Sequence, residues 1–139
     1  MIRKITACVA FIIIFSTAYS APKIDAEGAA STDFGKHPAK DQQEALFKIK
    51  NSGDADLRIA RVIKTCGGCA EISISTMQVS PGQVSEIRLK IISSSLTGPY
   101  TKNFFVETND PEQKFFKFTF TGNAVPLAEI KPSSIIYAG

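Results

Sequence analysis

The sequence predicts an all-β fold, an antiparallel sandwich of about seven strands, and three observations carry that expectation. Apolar residues recur at every second position in six separate runs. Each run is short and is closed by Gly, Pro, Asn or Asp, the residues that turn a chain between strands. No segment offers two turns of helix-spaced apolar residues behind a capping residue.

Taken in order, Ala45, Phe47 and Ile49 alternate with Leu46, Lys48 and Lys50 up to the turn Asn51-Ser52-Gly53-Asp54. Leu57 and Ile59 flank Arg58, and Ile72 and Ile74 alternate with Glu71, Ser73 and Ser75. After Ser80-Pro81-Gly82, Ile87, Leu89 and Ile91 alternate with Glu86, Arg88 and Lys90. Tyr100, Phe104 and Val106 share a face, and that run stops at Asn109-Asp110-Pro111. Phe116, Phe118 and Phe120 alternate with Lys117, Thr119 and Thr121 before Gly122. Side chains of a strand point alternately to its two faces, so this phase selects Phe47, Ile49, Ile59, Leu89, Phe104, Val106, Phe118 and Phe120 as core. Phe105 and Phe115 fall on the opposite phase. They are the candidate surface contacts, because an exposed apolar patch on a sandwich marks a docking surface.

The amino terminus reads as a secretory leader. Arg3 and Lys4 precede the apolar run Ile5 to Phe15, and the small residues Ala18 and Ser20 stand where cleavage after Ser20 requires them. The run has 11 residues, whereas a membrane-crossing helix needs about 20. Cys8 leaves with the leader. The expected organisation is therefore a signal peptide at 1–20, a linker at 21–30, a sandwich at 31–125, and a tail or extra strand at 126–139. An exported chain of this kind is periplasmic or extracellular, with no stable membrane span after cleavage.

Cleavage leaves 14 basic residues against 13 acidic ones, spread along the chain instead of gathered in a block. That balance excludes an electrostatic nucleic-acid binder. It leaves an unidentified protein as the expected partner. No GxSxG, HExxH or phosphate-cradling Gly loop occurs. The single histidine, His37, lies in Gly35-Lys36-His37-Pro38, which reads as an exposed loop ahead of a proline. A catalytic residue is not expected.

Chemistry can concentrate in one place, Cys66-Gly67-Gly68-Cys69, the two cysteines left after leader removal. Three readings compete. In an exported protein a local disulfide is the simplest, and closing so small a ring contributes about 2 kcal/mol. Two thiolates also suit Cu(I), which would make Cys66 and Cys69 a metal site and copper the cofactor. Thiol–disulfide exchange is the third, but the usual helix after the pair is replaced by the strand-like Ile72-Ser73-Ile74-Ser75.

One ordered set of features resembles a known family. It consists of Phe34-Gly35, Phe47-Lys48-Ile49-Lys50-Asn51-Ser52-Gly53, Leu57-Arg58-Ile59, Thr65-Cys66, Pro81-Gly82, Gly98-Pro99-Tyr100, Thr108-Asn109-Asp110 and Gly122. The chain is similar to the exported bacterial family called domain of unknown function 1573, related to Hydin-like immunoglobulin domains. The resemblance implies an immunoglobulin-like sandwich, an extracytoplasmic location and no established activity. That family usually shows Cys-Gly-Cys-Thr after the third strand, so Cys66 and Cys69 map to its cysteines. Here an extra Gly intervenes and Ala70 replaces the Thr. The expected function is an exported, non-enzymatic binding or scaffolding module. The alternative is a periplasmic Cu(I) carrier or redox accessory.

Overall fold

Period-two patterning becomes paired strand throughout the computed structural model, which describes residues 18–92 and 96–126. Most of the expected leader, Cys8 included, and the tail beyond Pro126 lie outside the described residues. Among the described residues there are nine strands and no helix. These are β1 (Ile24–Ala26), β2 (Ser31–Pro38), β3 (Gln43–Asn51), β4 (Leu57–Lys64), β5 (Ala70–Ile74), β6 (Gln78–Val79), β7 (Val84–Ile91), β8 (Gly98–Thr108) and β9 (Phe115–Val125). One sheet has four strands in the order β1-β3-β7-β5, and the other has five in the order β2-β9-β8-β4-β6. Every pairing is antiparallel except β2 with β9.

All eight residues selected as core from the alternation are buried, and Phe104, Phe118, Ile49 and Leu89 are wholly so. Phe104 stacks on Phe118 with ring centroids 5.0 Å apart, and Phe47 from the opposite sheet meets both rings edge-on or tilted. This aromatic cluster joins the two layers at the centre. Phe116 is only half-buried at the start of β9.

Three strands have no counterpart among the six apolar runs. β1 is three residues long and lies inside the span expected to be a linker, yet Ile24 is 1% exposed and Ala26 packs on the core. β2 is polar, contains Gly35 and ends in Pro38, and a bulge interrupts its register with β9 between Asp33 and Lys36. It is an edge strand, so a proline and a positive-φ glycine cost it little. β6 has two residues.

His37 is not an exposed loop residue. It sits in β2, 6% exposed, opposite Ala124 of β9. Its Nδ1 lies 3.1 Å from the Pro38 carbonyl and its Nε2 2.9 Å from the Tyr100 hydroxyl. A carbonyl can only accept, so Nδ1 carries the proton and Nε2 accepts from the Tyr100 O–H in the neutral ring. Tyr100 reaches across β9 because its direct cross-strand neighbour is Gly122, where any Cβ would collide with the phenol ring. Burial, with the charge of Asp33 adding to it, holds the Tyr100 phenol above its ordinary pKa, so it stays a donor.

The opposite end is fixed by two buried polar side chains. Asn51 is fully buried and donates from Nδ2 to the carbonyls of Ala55 (2.7 Å) and Val79 (2.8 Å). Its Oδ1 accepts from the N–H groups of Gly53 (3.0 Å) and Lys23 (3.3 Å). Asp110 is 4% exposed and accepts from the N–H groups of Ile24, Glu112 and Gln113. Burial alone would raise the Asp110 pKa. The three N–H bonds and the nearby Lys23 charge outweigh it, and the carboxyl lies below its usual range.

Candidate functional site

The two cysteines occupy a crossover between layers. β4 belongs to the five-stranded sheet and β5 to the four-stranded one, so the segment from Thr65 to Cys69 must pass from one sheet to the other. Cys66 and Cys69 are joined as a disulfide, with Cα atoms 5.7 Å apart. Cys69 is 3% exposed and belongs to the core cluster, while Cys66 is half-buried against it.

Hydrogen bonds hold the crossover at both feet. The Thr65 N–H and Oγ1 both donate to the Asn103 carbonyl, at 3.1 and 2.8 Å. The Cys69 carbonyl accepts from Ile92 N–H at 2.8 Å. Lys64 Nζ donates to the Ala70 carbonyl at 2.8 Å, spanning the gap between layers beside the bridge. Gly67 and Gly68 have ordinary φ values and open space where a Cβ would lie. The ring therefore closes without the left-handed backbone that paired glycines permit.

As a disulfide the pair has both sulfurs bonded to one another, and Cys69 is the more deeply buried of the two. His37 does not assist it, because both ring nitrogens are engaged by Pro38 and Tyr100. Among the described residues no group of three or more His, Cys, Asp or Glu side chains converges as a metal site would require.

The second candidate is the outer face of the five-stranded sheet. The register places Ile63 of β4, Phe105 of β8 and Lys117 of β9 in one row, with Arg61, Glu107 and Phe115 in the next. Phe105 and Phe115 are thus diagonal neighbours on one face. Phe115 is 46% exposed with Lys114 Nζ 5.6 Å from its ring centroid, while Phe105 is half-buried. Arg61 and Lys114 both pair with Glu107 and hold its carboxyl below the usual range, the Arg61 hydrogen bond being the larger cause.

The outer face of the four-stranded sheet is different. Its rows read Glu44–Lys90–Glu71, Leu46–Arg88–Ser73 and Lys48–Glu86 across β3, β7 and β5. Opposite charges face one another there, and Leu46 is the one large apolar side chain of these rows. The phenylalanines on an outer face, Phe105 and Phe115, thus lie on the five-stranded side, on the outward phase of their strands.

Two packed, mainly antiparallel sheets with an aromatic core define an immunoglobulin-like sandwich. The chain belongs to the family described as protein of unknown function DUF1573, whose profile matches residues 26–124. No curated protein matches the sequence. Among solved structures, a protein of unknown function from Porphyromonas gingivalis W83 is similar at 15% identity and a TM-score of 0.68, over 77% of this chain and 49% of that one. The VesB protease of Vibrio cholerae is similar at 10% identity and a TM-score of 0.60, over 75% of this chain and 32% of that one. The ASH / PapD-like domain of human CEP192 is similar at 11% identity and a TM-score of 0.58, over 89% and 99%. The chain spans about half of the first of these proteins and about a third of the second. At such identities the likeness concerns the fold.

Proposed function

We propose that the chain is an exported, non-enzymatic interaction module that docks a protein partner through the outer face of its five-stranded sheet. The observation that carries this reading is the contrast between the two outer faces. One sets acidic residues opposite basic ones around a single large apolar side chain, Leu46. The other places Ile63, Phe105 and Phe115 together beside Arg61, Lys114 and Lys117, with Glu107 between Arg61 and Phe115 on the middle strand. Apolar centres with charged rims are how transient protein interfaces are built. The disulfide keeps the adjoining crossover in one shape, and the leader-like amino terminus supplies the oxidising compartment it needs.

The test is cross-linking in cells of the native host, comparing wild type with Phe115→Asp. Loss of one discrete cross-linked partner in the variant, with the melting temperature unchanged, supports the reading. An identical cross-link pattern in both proteins removes the face from consideration. The Cu(I) alternative forecasts the opposite chemistry at Cys66 and Cys69. It requires both thiols to be alkylated without reductant and one-to-one copper uptake, which the double Cys→Ser variant then loses.

A further inference from the structure

Among the described residues β5 ends its sheet, and its outer edge has a definite hydrogen-bonding pattern. Ile92 N–H donates to the Cys69 carbonyl and Ser75 N–H donates to the Glu86 carbonyl, and both pairs are in register across β5 and β7. Odd-numbered residues of β5 therefore spend their backbone groups on β7. Even-numbered residues, Ala70, Ile72 and Ile74, turn theirs the other way. No described strand lies on that side, since β5 ends the order β1-β3-β7-β5. The Ala70 carbonyl is capped by Lys64. Among the described residues the N–H and C=O of Ile72 and of Ile74 have no strand beside them, four groups spaced for another extended chain.

The other three edges are blunted. β1 has three residues and β6 has two, while β2 carries a bulge and ends in proline. β5 is regular over all five residues and reads Ala-Glu-Ile-Ser-Ile, with β-branched residues alternating with small or polar ones. Ile72 and Ile74 are half-buried and line the side of the sandwich between the layers.

We propose that β5 pairs antiparallel with β5 of a second copy of this chain, about a two-fold axis through Ser73. In that register Ile72 of each copy exchanges both backbone bonds with Ile74 of the other. The free groups are then used on both chains, and the Lys64–Ala70 contact is left intact. The same arrangement sets Ser73 against Ser73 and Glu71 against Ser75 of the second copy, so no like charges meet. Four isoleucines close the two lateral seams together. A self-complementary edge of this kind generates a closed dimer and not a filament. The four-stranded sheets merge into one continuous sheet of eight. The pairing is independent of the aromatic docking face, which lies on the other layer.

Two residues facing one another across the axis form a non-hydrogen-bonded pair, with Cα atoms about 4.5 Å apart. A disulfide can span that distance, its usual range beginning at about 4.4 Å. The test uses the mature full chain. Wild type should sediment at twice the monomer mass. Oxidised with diamide, which takes up the two electrons and two protons, Ser73→Cys should form an intermolecular disulfide that mass spectrometry maps to position 73 on both copies, and Glu71→Cys should not. Ser73→Glu should give a monomer with an unchanged circular dichroism spectrum. Phe115→Asp should leave the dimer intact. A wild type that stays monomeric with no Ser73→Cys cross-link overturns the proposal. So does a dimer that survives Ser73→Glu or dissolves in Phe115→Asp.

Discussion

The two ends of the sandwich are closed by different means. At one end Asn51 and Asp110 bind backbone groups of distant strands, Asp110 reaching Ile24 across 86 residues of sequence and Asn51 reaching Val79 across 28. At the other end a covalent bridge spans a separation of three residues, and a Tyr–His pair ties β8 to β2. A covalent bond looks like the stronger device, yet a disulfide stabilises by the chain entropy it removes, and a small ring removes little. The buried polar side chains connect segments that nothing local would bring together. They also leave unpaired backbone groups behind when deleted. The comparison therefore predicts that the non-covalent end matters more to stability.

Asn51→Ala should have the largest effect, about 3 kcal/mol by urea denaturation, because four hydrogen bonds are lost at a fully buried position and their backbone partners are stranded. Asp110→Ala should follow, at about 2 kcal/mol. Its acid dependence has a definite sign. A carboxyl whose pKa is lowered by folding contributes stability that is present above its unfolded value, about 3.9, and is lost as pH falls through the folded value. Denaturation midpoints of wild type should therefore fall below about pH 4, and those of Asp110→Asn should fall less steeply. The double variant Cys66→Ser, Cys69→Ser should lose about 2 kcal/mol or less, with the fold retained. A larger loss there than in Asn51→Ala would reverse the ranking of the two ends. Tyr100→Phe should cost least, about 1 kcal/mol, since it removes one hydrogen bond and keeps the ring over Gly122.

The same contrast explains what could be read in the sequence. Alternation of large apolar residues marks strands that bury one face, so β3, β7, β8 and β9 and their core residues were legible. β2 was not. It pairs on one side only and takes its place from Tyr100 and Ala124 of its neighbours, and no periodic signal is needed for that. His37 was misplaced for this reason, since Gly35 and Pro38 suggest a loop where an irregular edge strand in fact runs. β1 escaped because three residues make no pattern, and the residue that fixes it, Asp110, stands in what reads as an ordinary turn. At the cysteines, the spacing and the leader-like amino terminus pointed to a bridge. The crossing between layers could not be seen, because sheet membership is decided by pairings far away in the chain. The outward phase of Phe105 and Phe115 was legible from the alternation alone. That acidic residues stand opposite basic ones on the other face needed the register.

The lone parallel pair has a consequence for how the chain matures. Ser31 of β2 sits beside Thr119 of β9, and Ile24 is held by Asp110. The first strands to emerge from any channel that releases the amino terminus first must wait for nearly the last ones. Such high contact order slows folding. Until β9 arrives, β8 lacks one neighbour, and Tyr100 has neither Gly122 to lie over nor a settled His37 to bind. Where an oxidant is present, the CGGC bridge is a long-lived link that can form early, because its two ends lie three residues apart and are released almost together. It can fix a corner of the sandwich while the rest is still arriving, whatever its share of the final stability.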